Sequence, residues 1–218
     1  MILAAGRGER MGEITKNIPK PLINVRGKPL IEWHLEKLSK AGFKDIVINV
    51  CYLPEKIKDF IGDGSQWQIN VNYSKENPIL ETAGGIKNAL QFLGKDPFAV
   101  INADIFSNFD YEKLKLINLT NSEDGHLVLV NNPEHNKNGD FGLSKNDCLA
   151  LDTDILYTFS GIAVYHPRFF DKVKTGVKMK LLPLLESSVA KSMIKGELFK
   201  GIWSDIGTPE RLKRINQI

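Results

Sequence analysis

A chain of 218 residues, 42% hydrophobic and 25% charged, has the balance of a globular protein that can bury a sizeable core, which excludes the disordered and membrane-spanning classes. Its 29 basic residues nearly cancel 26 acidic ones to leave +3, and they are scattered rather than gathered into the stripe a nucleic-acid binder uses. No apolar run approaches the roughly 20 residues of a membrane span and no secretory pattern opens the chain, so a cytoplasmic protein with neither membrane nor nucleic-acid partners is expected.

Strand-length apolar runs alternate with segments of helical period, which predicts βαβ units and an α/β fold with a mainly parallel sheet flanked by helices. Met1 to Ala4 reads as a first buried strand. Pro29 opens a helix with Leu30, Trp33, Leu35, Leu38 and Ala41 on its apolar side and Gly42 as its stop. Asp45 to Cys51 is a second buried strand, Pro54 to Ile61 a short helix, and the alternating Ile69 to Tyr73 a strand nearer an edge. Thr82 to Leu93 reads as a helix and Phe98 to Asn102 as a third strongly apolar strand. Beyond it, Leu127 to Val130, Phe141 to Leu143, Leu156 to Tyr165 and Leu198 to Trp203 are strand candidates. Leu181 to Ala190 and Pro209 to Ile215 are helix candidates, and the polar stretch Asn131 to Asn146 is expected to loop over the sheet. Without a repeat or a long linker, residues 1–218 are expected to form one domain. Cys51 and Cys148 are far apart and read as separate thiols. His34, His126, His135 and His166 lack metal-ligand spacing and are assigned structural or surface roles.

Four segments carry chemistry. Leu3-Ala4-Ala5-Gly6-Arg7-Gly8-Glu9-Arg10-Met11 directly follows a strand, where glycines let backbone N–H groups approach phosphate, and Arg7 and Arg10 add positive charge. A dinucleotide fingerprint requires Gly or Ala where Met11 stands, and no Lys-Ser or Lys-Thr follows as a Walker A loop requires. Pro19-Lys20-Pro21-Leu22 holds a lysine between two conformationally restricted residues. Asp104 and Asp205 each end an apolar run, and carboxylates at the carboxyl ends of parallel strands would share a face with the Gly6–Gly8 turn; magnesium favours one or two carboxylates completed by phosphate and water. Glu81-Thr82-Ala83-Gly84-Gly85 starts a helix with small residues, leaving its N–H donors open to a ligand.

At these residues the chain resembles the sugar nucleotidyltransferase family, whose fold is a Rossmann-like sheet. LAAGRGERM is similar to that family's amino-terminal signature, Pro19 to Leu22 to its PKPL segment, Glu81 to Gly85 to its helix start, and Trp203-Ser204-Asp205-Ile206-Gly207-Thr208 to its WxDxGT ending. The resemblance implies transfer of a nucleoside monophosphate from a nucleoside triphosphate, UTP being the expected donor, to a sugar 1-phosphate. It also implies that Arg10 and Lys20 steady the transition state, while Asp104 and Asp205 hold Mg2+. Ala5, Gly6, Gly8 and Gly84 would lie near the nucleoside, with Lys75 and Glu76 shaping the base pocket. Glu81, Asp140 and Ser160 would lie nearer the sugar. Tyr73 to Glu76, Asn132-Pro133, Gly139 to Phe141 and Thr158 to Gly161 resemble the branch that uridylylates N-acetylmuramate 1-phosphate in cell-wall recycling. Two departures stand out: Ala103 replaces the usual glycine before the metal aspartate, and there is no EKP-like segment to supply a lysine for the sugar phosphate. The alternatives are the same chemistry on glucose or mannose 1-phosphate with another base, and a non-catalytic nucleotide-sugar-binding regulatory subunit. The small size favours a monomer.

Overall fold

The computed structural model describes residues 1–217. After β1 (Ile2–Leu3) a small hairpin, β2 (Asn24–Val25) and β3 (Lys28–Pro29), leads into α1 (Leu30–Lys40). β4 (Asp45–Val50), α2 (Pro54–Ile61), β5 (Asn70–Lys75), α3 (Glu81–Leu93) and β6 (Phe98–Asn102) complete the regular half. The second half holds β7 (Ile105–Ser107), α4 (Glu112–Leu116) and β8 (Gly125–Val130), then a ribbon of β9 (Gly142–Leu143) and β10 (Leu149–Ala150). It ends with β11 (Thr158–Tyr165), α5 (Leu182–Val189), β12 (Ile194–Phe199), β13 (Trp203–Asp205) and α6 (Pro209–Ile215).

Seven strands form one sheet in the order β12-β8-β11-β6-β1-β4-β5. Only β11 runs against its neighbours β6 and β8; every other pairing is parallel. The near-continuous apolar runs of β4, β6 and β8 follow from burial on both faces, and alternating β5 is the edge strand its pattern suggests. On one face Ile31, Leu35 and Leu38 of α1 and Ile57 and Ile61 of α2 pack against Ile46, Ile48 and Ile101. On the other, Ala83, Ile86 and Ala89 of α3 and Leu185 and Val189 of α5 cover Val47, Val100 and Leu127. Alternate residues of the same strand thus serve opposite layers. Cys51 and Cys148 are both free thiols. Among the described residues no helix is long and apolar enough to cross a membrane.

The expected strand from Leu198 to Trp203 is two strands instead. β12 ends at Phe199, the chain turns at Gly201, and β13 pairs antiparallel with β7, a three-residue strand too short to register as a periodic pattern. A Cβ at Gly201 would lie 2.2 Å from the Phe199 ring and 2.5 Å from Asn108 Oδ1, so the turn closes too tightly for a side chain. Residues Glu9–Thr15 form a 3-10 helix kinked at Gly12 (φ 58°).

His34 on α1 is fully buried, with Nδ1 2.8 Å from the Tyr111 hydroxyl. Desolvation, reinforced by the Lys37 ammonium, lowers its pKa to about 3, against weaker raising contributions from the Ile105 backbone and Asp104. The folded protein therefore keeps this ring neutral where the unfolded chain takes up a proton. The unfolded state binds more protons between about pH 3 and the ordinary histidine value of about 6.5, so stability rises with pH across that window and is level above it. Below pH 6.5, His34 is expected to remove up to about 1.4 kcal/mol of stability per pH unit. Urea unfolding of the wild type and His34→Asn at several pH values checks this: the variant should show the shallower acid decline, and identical slopes would refute it.

Candidate active site

The glycine turn leaves the carboxyl end of β1 at the centre of the sheet. Ala4 and Ala5 are buried, the Ala4 N–H donates to Asn49 Oδ1 at 2.8 Å, and Gly6 faces open space. Gly8 has φ +68°, and a Cβ there would sit 3.1 Å from both Lys20 Cβ and Thr15 Cγ2. Glycine is required because the lysine stem runs directly beneath it. Thr15 locks the turn by donating to the Gly8 carbonyl at 3.0 Å. Lys20, in a 3-10 turn opened by Pro19, is only 7% exposed, and its ammonium donates to Asp104 Oδ2 at 2.5 Å. Asp104 follows β6 and is half-buried. Arg7 and Arg10 are exposed; Arg7 lies 6.0 Å from the Tyr52 ring centre, and Arg10 has no ion-pair partner among the described residues. The structure thus brings the turn, Lys20 and Asp104 together, with Arg10 on the adjoining 3-10 helix.

Asp205 reaches this region differently from the sequence expectation. It does not end a strand of the main sheet but sits in β13, directly opposite Ile105, while Ile206 N–H donates to the Asp104 carbonyl at 2.7 Å. The two aspartates are therefore backbone neighbours across the β7–β13 ribbon. Asp205 Oδ2 is paired with Arg211 Nη1. His135 Nε2 lies 3.0 Å from Asp205 Oδ1 without hydrogen-bond geometry, because that nitrogen faces Arg211 Nη1 at 3.1 Å. One carboxylate oxygen of Asp205 is thus buried with no hydrogen bond. The donor chemistry fits a hard cation: magnesium takes one or two carboxylates, and substrate phosphates and water would supply the rest. Among the described residues no cluster of three or more His, Cys, Asp or Glu side chains that could hold a metal is found. Sequence reading missed Arg211 and assigned His135 to a structural or surface role, since nothing in the spacing of either points to Asp205.

The nucleoside side rests on a buried polar strut. Glu76, expected at the base, is only 3% exposed; its Oε1 accepts from Asn49 Nδ2 at 2.7 Å and its Oε2 from the Leu80 N–H at 2.8 Å. It therefore underpins the turn through Asn49 and does not face a ligand, whereas Lys75 beside it is exposed at the end of β5. A Cβ on Gly85 would lie 2.4 Å from Glu76 Oε1, which explains the second small residue of the helix start. The first, Gly84, corrects another expectation. Its N–H and that of Ala83 donate to the Met179 carbonyl at 3.1 and 3.0 Å, and Met179 N–H donates to Leu80. A strap at 177–180 thus occupies the helix start expected to be open, and Gly84 is small because a Cβ would come 2.4 Å from the Val177 carbonyl. The polar Asn49 within an otherwise apolar strand was the available signal for this network.

Beside the strap opens a cavity of about 340 Å³ lined by, among others, Glu81, Asp140, Phe159, Gly161, Tyr165 and Lys180. Glu81 and Asp140 are where the resemblance implies a sugar. Asp140 is fixed by Asn136 Nδ2 at 3.1 Å and the Phe159 N–H at 2.8 Å. Glu81, with φ +60°, has Lys178 Nζ 3.6 Å from its carboxylate. Ser160 does not line the cavity: it is fully buried at a bulge in β11, where its hydroxyl accepts from Ile162 N–H at 3.2 Å. The bulge instead presents Gly161 (φ +80°) against Asn102.

A mainly parallel sheet with a phosphate-sized glycine turn, a buried lysine–aspartate pair and a sugar-sized cavity along one edge defines the nucleotide-diphospho-sugar transferase class of α/β proteins. The chain belongs to the Nucleotidyl transferase family, whose profile matches residues 1–218. It is 44% identical to N-acetylmuramate alpha-1-phosphate uridylyltransferase of Neisseria meningitidis serogroup B, over 100% of this chain and 96% of that protein. It is 28% identical to the mannose-1-phosphate guanyltransferase of Hypocrea jecorina over 96% of this chain, but spans only 61% of that relative's length. The fold superposes with a TM-score of 0.85 on a putative glucose-1-phosphate thymidylyltransferase from Bacillus anthracis, at 22% identity over 99% of this chain and 92% of that one. HddC from Yersinia pseudotuberculosis complexed with GMP-PN superposes at 0.78, with 23% identity over 99% of this chain and 96% of that one.

Because Glu76 accepts from two donors, Glu76→Gln turns an NH2 group toward one of them. The cost of an unmet buried group, about 1–3 kcal/mol, is the expected loss of unfolding free energy. Weaker nucleotide binding should accompany it, because Asn49 then loosens its hold on Ala4. Denaturant melts and nucleotide titration check both effects; wild-type stability would contradict the strut.

Proposed function

We propose that the protein, acting as one domain over residues 1–218, transfers UMP from UTP to N-acetylmuramate 1-phosphate, giving a UDP-sugar and pyrophosphate in the recycling of cell-wall sugars. The observation that carries this reading is the full-length 44% identity to a uridylyltransferase of that specificity, reaching 96% of its length. The site chemistry supports it. An oxygen of the sugar 1-phosphate attacks the α-phosphorus of UTP, forming one P–O bond as the bond to the β-phosphate oxygen breaks and pyrophosphate leaves. The nucleophile is already anionic, so no general base is required, and the work of the protein is positioning and charge neutralisation. Lys20, buried and held on Asp104, offers a charge that does not have to be organised during the reaction. Arg10 supplies a second cation from the adjoining 3-10 helix. Asp104 and Asp205 would hold magnesium, which supplies charge neutralisation of the phosphates when bound. The amide groups of the Ala5–Gly8 turn are suited to the nucleotide, and Glu81 and Asp140 to sugar hydroxyls.

Pyrophosphate release over a panel of triphosphates and sugar 1-phosphates tests the assignment: UTP with N-acetylmuramate 1-phosphate should give the highest kcat/KM, and a better rate with GTP and mannose 1-phosphate would overturn it. Asp104→Asn and Asp205→Asn should each lower turnover by at least about 10²-fold with far-UV circular dichroism retained. Wild-type rates in either variant would remove that aspartate from the site.

A further inference from the structure

We propose that Lys180 reads the carboxylate of the acceptor sugar and so sets the enzyme's acceptor specificity. The inference rests on the acceptor proposed above and concerns a residue outside the segments that carry the resemblance.

Among the side chains lining the 340 Å³ cavity, Lys180 is the only basic one. The acids there are already engaged: Glu81 by Lys178, Asp140 by Asn136 and the Phe159 N–H. The Lys180 ammonium, by contrast, is exposed and has no ion-pair or hydrogen-bond partner among the described residues. Its backbone is nevertheless fixed, because Met179 immediately before it is bonded through both N–H and carbonyl to the start of α3. A cation on an anchored backbone, facing a cavity whose carboxylates are occupied, is complementary to an anion brought by the ligand. Tyr165, also in the lining, adds a buried hydroxyl without a hydrogen-bond partner, a second polar group left for a ligand to satisfy.

The location selects which anion. None of Gly6, Gly8, Arg10, Lys20 or Asp104 lines this cavity, so the groups suited to phosphate lie elsewhere on the sheet edge. Lys180 therefore serves the sugar end. N-acetylmuramate carries there an ether-linked carboxylate that glucose, mannose and N-acetylglucosamine lack, and one well-placed ammonium suffices to distinguish them.

The test compares wild type and Lys180→Met with N-acetylmuramate 1-phosphate and its carboxamide. Lys180 is exposed, so the variant should fold normally. KM for the acid should rise about 10- to 100-fold in Lys180→Met, the size of a lost charged hydrogen bond, with kcat nearly unchanged because the contact is equal in ground and transition states. The carboxamide should impose the same loss on wild type, and the variant should not distinguish acid from amide. Lys180→Arg should keep the preference for the acid. An equal penalty on acid and amide, or none on either, overturns the role of Lys180 and leaves the transferase reading standing. Wild-type enzyme that turns over only neutral sugar 1-phosphates overturns the acceptor reading itself, and this role falls with it.

Discussion

The contact between Lys20 and Asp104 joins two parts of the chain that are 84 residues apart, and most of the site is arranged around it. Burying an ammonium, as in a lysine that is 7% exposed, is costly unless it is paired, and the same holds for a partly buried carboxylate. Pairing meets both demands at once and holds the ammonium beneath the glycine turn. Two backbone constraints protect the pair. Gly8 must lack a side chain so that the lysine stem can pass, and the prolines around Lys20 restrict the turn that carries it.

Asp205 is handled by the same logic with different parts. Arg211 pairs with one oxygen, while His135 Nε2 lies 3.0 Å from the other. A buried carboxylate oxygen left without a hydrogen bond is incompletely satisfied. The two aspartates differ accordingly: one is tied to the proposed catalytic lysine, the other retains unused coordinating capacity.

Much of this was legible in the sequence, and the parts that were not have a common cause. Strands β4, β5 and β6 and helices α1 to α3 show clear periods because each is buried on a face or along a stripe, and the glycine turn, Lys20 and Asp104 stand out in chain order. β7 and β13 are three residues each, too short for any period, so their pairing, which brings Asp205 beside Asp104, could not be read. Local pattern also cannot report what comes back from far away. The start of α3 has the composition of an open anion site, yet its Ala83 and Gly84 N–H groups are taken by a segment nearly 100 residues later. Glu76 and Ser160 were expected to face ligands because of their neighbours in sequence, but tertiary packing turned both inward.

The strap gives the returning segment a double consequence. A helix start has donors that must be satisfied, and the Met179 carbonyl satisfies two of them. The next residue, Lys180, then lines the cavity of about 340 Å³, and two residues further α5 begins. Leu80, which caps α3, is also where the backbone meets Glu76, so the strut beneath the glycine turn and the strap beside the cavity share a single stretch of backbone. Two small residues in a row make this possible: Gly84 admits the strap on one side of the helix, and Gly85 admits the carboxylate on the other.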